Sequence, residues 1–250
     1  MKSSSISRLI ISSLLYPVSV SANTEKTIFL GPETVRVPAQ HPTIHDLHLD
    51  VLTPRENKWS LRTSLPRQFP NSTHPVGLAT WFLLDELTQG QRYEVRVCWA
   101  ATQPTSFTIN TYPLDLVFST PDLITSLNEY SLLRLNQASS SQADDQPPAS
   151  TTEKEKESSL LFLQISSAAD YFTTNKSLMS NPPPVDVDII LDPFLLNLLP
   201  RSLVPTVIYI ILVSILAYFV SSRVLSYLDN ALGLGKPTIT TVAEENKKTN

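Results

Sequence analysis

Cysteine occurs once in the chain, at Cys98, so no disulfide can form within it. A small secreted domain without such staples holds its fold by core burial or by docking on a partner. Cys98 itself lies between Val97 and Trp99, where a buried small apolar residue is expected rather than a reactive thiol. Glycine is scarce at five residues while proline reaches 20, a balance that favours strands and extended loops over a helix bundle. The same shortage leaves no glycine-rich phosphate cradle, and there is no Gly-x-Ser-x-Gly elbow. Net charge is −4 and mixed in sign, so no nucleic-acid partner is expected. Charge is missing altogether from one stretch, Leu203–Val220, and the rest of the chain is arranged around that gap.

At about 1.5 Å rise per residue this stretch is roughly 27 Å long, close to the hydrocarbon thickness of the endoplasmic reticulum bilayer. Arg201 and Arg223 fence it, Pro205 falls in its first turn, and Tyr209 and Tyr218 lie towards its ends, as interfacial anchors would. One transmembrane helix is therefore expected over 203–220. A buried core helix is the alternative, but it needs a surrounding domain and only a short polar tail follows.

The first 22 residues read as a secretory signal: Lys2 and Arg8, then the apolar Leu9–Val20, then small residues at Val20-Ser21-Ala22, with cleavage expected after Ala22. Topology follows as type I, with residues 23–200 lumenal and 221–250 a cytosolic tail. Arg223, Lys236, Lys247 and Lys248 follow the span while Arg201 alone stands just before it, the asymmetry of a cytosolic C-terminal side. The sequons at Asn71 and Asn175 then fall on the lumenal side, where glycosylation is possible. Lys247 and Lys248, in Lys-Lys-Thr-Asn, resemble the dilysine signal by which coat proteins retrieve endoplasmic reticulum residents. A solubilising charge pair is the blander reading.

Within the lumenal part, Arg92–Trp99 is the clearest strand, with Tyr93, Val95, Val97 and Trp99 on one side and Arg92, Glu94, Arg96 and Cys98 on the other. Leu87, Gly90 and Tyr93 look like the tyrosine corner of immunoglobulin-like sandwiches, whose phenol bonds back to upstream backbone. Pro104 ends this strand, and Thr105–Tyr112 reads as its hairpin neighbour. Shorter apolar segments at Thr27–Val37, Asp46–Leu52, Trp59–Leu65 and Leu78–Leu84, with Leu160–Ile165 and Val185–Leu191 later, suit a sandwich of short strands. The fold class is thus mainly β: an immunoglobulin-like sandwich over 23–136 and 160–200, with one C-terminal transmembrane helix. Pro121–Leu135 carries leucines at helical spacing. Gln137–Ser159, rich in serine and alternating Glu and Lys, reads as a disordered insertion over 137–159. Phe194–Leu199 is apolar and precedes Pro200-Arg201, so it is expected on the membrane surface or against a neighbouring helix.

Residues suited to chemistry are few. Asp186-Val187-Asp188 matches the carboxylate pair by which glycosyltransferases hold a divalent cation on a diphosphate. A half-exposed strand explains the same alternation, and no nucleotide-binding α/β unit surrounds it. His41, His45 and His48 invite a zinc reading, but no cysteine or fourth histidine is near and Pro42 interrupts them. No catalytic residue, metal or cofactor is assigned.

Three features carry a resemblance: the Ile28-Phe29-Leu30-Gly31-Pro32 strand, the block Gly90–Trp99 followed by Pro104, and Asp192-Pro193-Phe194 shortly before the span. In these the chain resembles the fungal accessory subunit, or coactivator, of glycosylphosphatidylinositol (GPI) mannosyltransferase II. The resemblance implies a non-catalytic endoplasmic reticulum subunit of a multi-span mannosyltransferase that adds the second mannose to the GPI precursor from dolichol-phosphate-mannose. Catalytic residues would belong to the partner. The alternative is a lumenal adaptor or chaperone of an insertion or cargo-receptor complex, built from the same parts. A third reading is a small glycosyltransferase using Asp186 and Asp188.

Overall fold

A computed structural model describes residues 22–37, 43–55, 58–141 and 156–231. In chain order the first elements are β1 (Ala22–Leu30), β2 (Val35–Val37), a 3-10 turn at Ile44–Leu47, β3 (Asp50–Leu52), β4 (Ser60–Leu65), β5 (Leu78–Leu84), β6 (Arg92–Ala100) and β7 (Thr105–Tyr112). Helices α1 (Leu114–Ser119) and α2 (Pro121–Ser141) follow, then β8 (Lys156–Ser158), β9 (Leu161–Ala169), α3 (Lys176–Ser180), β10 (Val185–Leu195) and β11 (Leu199–Pro200). A 3-10 turn at Arg201–Leu203 leads into α4 (Val204–Ala231). The chain divides into two compact units at Arg201.

The first unit is mainly β, as its sequence predicts. One sheet runs β1-β6-β10, with β4 and then β11 along the far edge of β10; the other runs β3-β5-β9-β7. Every pair is antiparallel except β3 with β5. Alternation dictates how they face. Tyr93, Val95 and Val97 of β6 and Val185, Val187, Ile189 and Leu191 of β10 are fully or almost fully buried. They form one core with Phe82 and Leu84 of β5, Leu161, Leu163 and Ile165 of β9, and Phe107 and Ile109 of β7. That core is the space between the sheets.

The second sheet is covered on its other face as well. Trp81 and Leu83 of β5 and Phe162 of β9 form a separate cluster with Val117 of α1 and Leu127 of α2. Trp81 donates its indole N–H to Ser126 Oγ at 3.1 Å. Burial on both faces explains why Trp81-Phe82-Leu83-Leu84 is a continuous apolar run instead of an alternating one. The predicted helix from Pro121 is present and continues through Ser141.

Thr105–Tyr112 corrects the hairpin expectation. β7 pairs with β9 in the facing sheet, because both ladder edges of β6 are already taken by β1 and β10. A turn closed by Gln103 N–H on Ala100 O at 2.9 Å carries the chain across the sandwich. Trp99 and Phe107 then meet edge to face, 4.6 Å between ring centroids. The segment Thr27–Val37 likewise resolves into two strands broken at Gly31-Pro32. The disordered insertion expected over 137–159 is corrected at both ends: 137–141 continue α2 and Lys156–Ser158 form β8, held by its ladder to β2; 142–155 lie outside the described residues, as do the signal region before Ala22, His41, Lys247 and Lys248.

The second unit contains α4. It is longer than the apolar stretch that predicts it, 28 residues or about 42 Å. Val220 is followed by Ser-Ser-Arg-Val-Leu-Ser-Tyr-Leu-Asp-Asn-Ala, which holds no proline or glycine to stop a helix. Length and composition make this helix able to cross a membrane.

Candidate docking interface

Near the start of β6, three chain segments are tied together around Tyr93. The ring is buried and stacked on Phe29 with centroids 5.7 Å apart. Its hydroxyl accepts the Thr88 N–H at 2.9 Å and donates to Gln91 Oε1 at 3.0 Å. Gly31 N–H donates to Gln91 O at 2.8 Å and Gly90 N–H to Gly31 O at 2.9 Å. A Cβ on Gly31 would stand 2.2 Å from Thr88 O, so only glycine admits this approach. Gly90 has φ +73° with open space around it. Of the residues of the predicted corner, Leu87 and Gly90 lie in the loop before β6 and Tyr93 in the strand itself.

The third segment is the tip between β10 and β11. Leu198 N–H closes the turn on Leu195 O at 3.0 Å. Asn197 points inward, accepting the Arg92 N–H at 2.7 Å and donating to Gly90 O at 3.0 Å. Gln91 Nε2 donates to Phe194 O at 3.2 Å, and the Arg92 guanidinium lies 5.8 Å from the Phe194 ring centroid. The leucines go the other way: Leu196 is 92% exposed and Leu198 80%.

The outer face of the first sheet carries charge. Glu94 and Asp192 are directly opposed across β6 and β10 and only 3% and 4% exposed. Arg96 bridges them, 3.2 Å from Glu94 and 3.3 Å from Asp192, and Lys26 reaches Glu94 at 3.1 Å. Alternation alone places Glu94 outward with Arg92 and Cys98 and gives no sign of this burial. Cys98 is half-buried on the same outward face, accepting from Thr24 Oγ1 at 3.6 Å, so the expected full burial of this thiol is not met: the core face of β6 belongs to its odd-numbered residues.

Asp188 is clamped by Arg62, with Nε on one carboxylate oxygen and Nη2 on the other, both at 2.8 Å. The bidentate hydrogen bond holds its carboxyl below the ordinary carboxylate range and raises the guanidinium. Asp186 and Asp188 thus share a strand face, but both oxygens of Asp188 are committed to a cation already present. Among the described residues no three His, Cys, Asp or Glu side chains gather as metal ligands. His48 is exposed in a loop with φ 51°.

Both sequons are exposed. Asn71 Oδ1 accepts from Thr73 N–H, Thr73 Oγ1 and His74 N–H at 2.9, 2.7 and 2.7 Å, and Asn175 caps α3 by accepting Ser177 N–H at 3.0 Å. Their loops meet at one end of the sandwich. Buried Arg67 binds Pro183 O, Pro104 O and Thr105 Oγ1 there, and Phe69 packs edge to face on Tyr171. β10 begins at that end and finishes at the leucine tip, 11 residues and about 33 Å away.

These features define a class: a β-sandwich domain, apolar at one end, preceding in the chain a helix able to cross a membrane. A family model matches residues 14–224, and its family is described as the GPI-mannosyltransferase II co-activator. The chain belongs to that family, and its role is accessory to a mannosyltransferase of GPI-anchor biosynthesis. Neither a curated protein nor a solved structure matches it.

Proposed function

We propose that the chain is a non-catalytic, type I subunit of the endoplasmic reticulum complex that adds the second mannose to the GPI precursor. In this reading the partner is the multi-span transferase, which holds the catalytic residues and uses dolichol-phosphate-mannose. The apolar helix over 203–220 docks on the transferase within the bilayer, and the sandwich steadies its lumenal loops. Residues 1–22 act as a cleaved signal, Asn71 and Asn175 as lumenal glycan acceptors, and Lys247 and Lys248 as the cytosolic retrieval signal read by coat proteins. The observation that carries the reading is the family match across residues 14–224. The exposure of both sequons supports the lumenal reading, since a glycan acceptor must be reachable.

The test is purification in mild detergent of a chain tagged within 137–159, which leaves Lys247 and Lys248 free. A stoichiometric multi-span mannosyltransferase in the eluate, and a one-mannose GPI precursor accumulating on depletion, are the expected results. Membrane-insertion or coat-adaptor subunits in its place would overturn it in favour of the adaptor reading.

A further inference from the structure

We infer that the leucine tip between β10 and β11 is a lipid-interface anchor, inserting Leu195, Leu196 and Leu198 into the bilayer that the apolar helix crosses. This rests on the reading of 203–220 as a membrane span.

The tip is constructed to present these side chains. Leu196 and Asn197 both have positive φ, 52° and 58°, a conformation unfavourable for a leucine. It is held because Asn197 reaches back to Gly90 O and the Arg92 N–H. An aspartate or glycine would fit such a turn with less strain, yet leucine occupies it and is 92% exposed. Fixed exposed leucines need an apolar environment, and the chain supplies the candidate: α4 begins at Val204, six residues after Leu198.

Two further observations favour lipid over a protein pocket. The one polar side chain of the turn, Asn197, is bonded inward and Leu198 N–H is bonded to Leu195 O, so the side chains the tip leaves facing out are leucines. What it presents is aliphatic, with no aromatic anchor of the kind that dominates protein interfaces. Arg92 and Arg201 flank it and are exposed, placed as guanidiniums that lie level with lipid phosphates while apolar neighbours go deeper. Leu30, opposite Arg92 in the β1–β6 ladder, is also exposed and widens the apolar rim. The consequence is a second point of attachment.

The experiment uses the full chain with Cys98→Ser, reconstituted alone into phosphatidylcholine–phosphatidylethanolamine vesicles. Single cysteines for an environment-sensitive fluorophore are introduced by Leu196→Cys at the tip, Lys176→Cys at the sequon end and Ser214→Cys within the helix. Leu198→Cys gives a second tip label in case the first disturbs the turn. Expected are blue-shifted emission and several-fold stronger quenching at 196 than at 176 by nitroxides placed high on the acyl chain, with 214 quenched by nitroxides placed deep. Failure at 214 means that the span reading itself is wrong. Quenching at 214 with both tip labels in water overturns the tip proposal alone. Shielding of the tip only after transferase is added would make it a protein contact and overturns the proposal equally.

Discussion

The Tyr93 hydroxyl lies 2.9 Å from the Thr88 amide nitrogen, accepting its N–H across the turn that opens β6. That bond joins the loop to a ring buried between the sheets, and it fixes where Gly90, Gln91 and Arg92 meet the leucine tip. Tyr93→Phe keeps the ring and removes only the oxygen. A loss of about 1.5 kcal/mol is expected from the orphaned donor, a fall in Tm of about 3–6 °C for a domain of this size. A thermal melt of the full chain in micelles measures it; an unchanged Tm would show the bond idle.

Gly31 and Gly90 bear on the same loop for different reasons, and the difference is measurable. Gly31→Ala places a methyl 2.2 Å from Thr88 O, so the loop must move. Gly90→Ala meets no atom and costs only the left-handed backbone, about 1 kcal/mol. Steady-state abundance and melting should fall much further for Gly31→Ala. The reverse order would mean that the Gly31–Thr88 approach is not needed.

Arg96 reaches both Glu94 and Asp192. Arg96→Met leaves opposed buried carboxylates, with an expected cost of about 3 kcal/mol. Adding Glu94→Gln and Asp192→Asn to that variant should recover most of it, because the unbalanced charge rather than lost packing is the cause. Failure of the triple variant to recover, read by denaturant melts, would assign the effect to packing.

Asp186→Asn with Asp188→Asn separates accessory from catalytic roles. Asp188 and Arg62 form a largely exposed pair, so stability should change by less than about 1 kcal/mol. The lowered pKa of Asp188 means that its bridge is intact at neutral pH and is lost only as pH falls through that depressed value, so no change is expected near pH 7. Complementation of a depleted strain by the double variant should be full. Loss of function with normal protein levels would revive the glycosyltransferase reading.

Much of this molecule was legible from alternation and from missing charge. Leu78–Leu84 and Thr105–Tyr112 stand as strands at the residues their patterns indicate. Pairing was less legible. Thr105–Tyr112 looks like a hairpin partner of β6 because it follows a tight turn, and only the full ladder shows that β1 and β10 leave β6 no free edge. Burial on an outward face was hidden too, since Glu94 and Asp192 occupy polar positions and become buried through neighbours distant in sequence. In the sequence the tip is only an apolar run; the positive φ of Leu196 and the inward turn of Asn197 depend on Gly90 and Arg92, more than 100 residues earlier.

The most direct test of the account is to exchange Leu203–Val220 for an unrelated apolar helix of equal length in the tagged chain. Recovery of the mannosyltransferase in mild detergent is then measured beside membrane integration. The account predicts integration unchanged, transferase recovery sharply reduced and the one-mannose GPI precursor accumulating. Full recovery of the transferase with the exchanged helix would contradict it, leaving the helix a plain anchor and assigning co-activation to the sandwich alone.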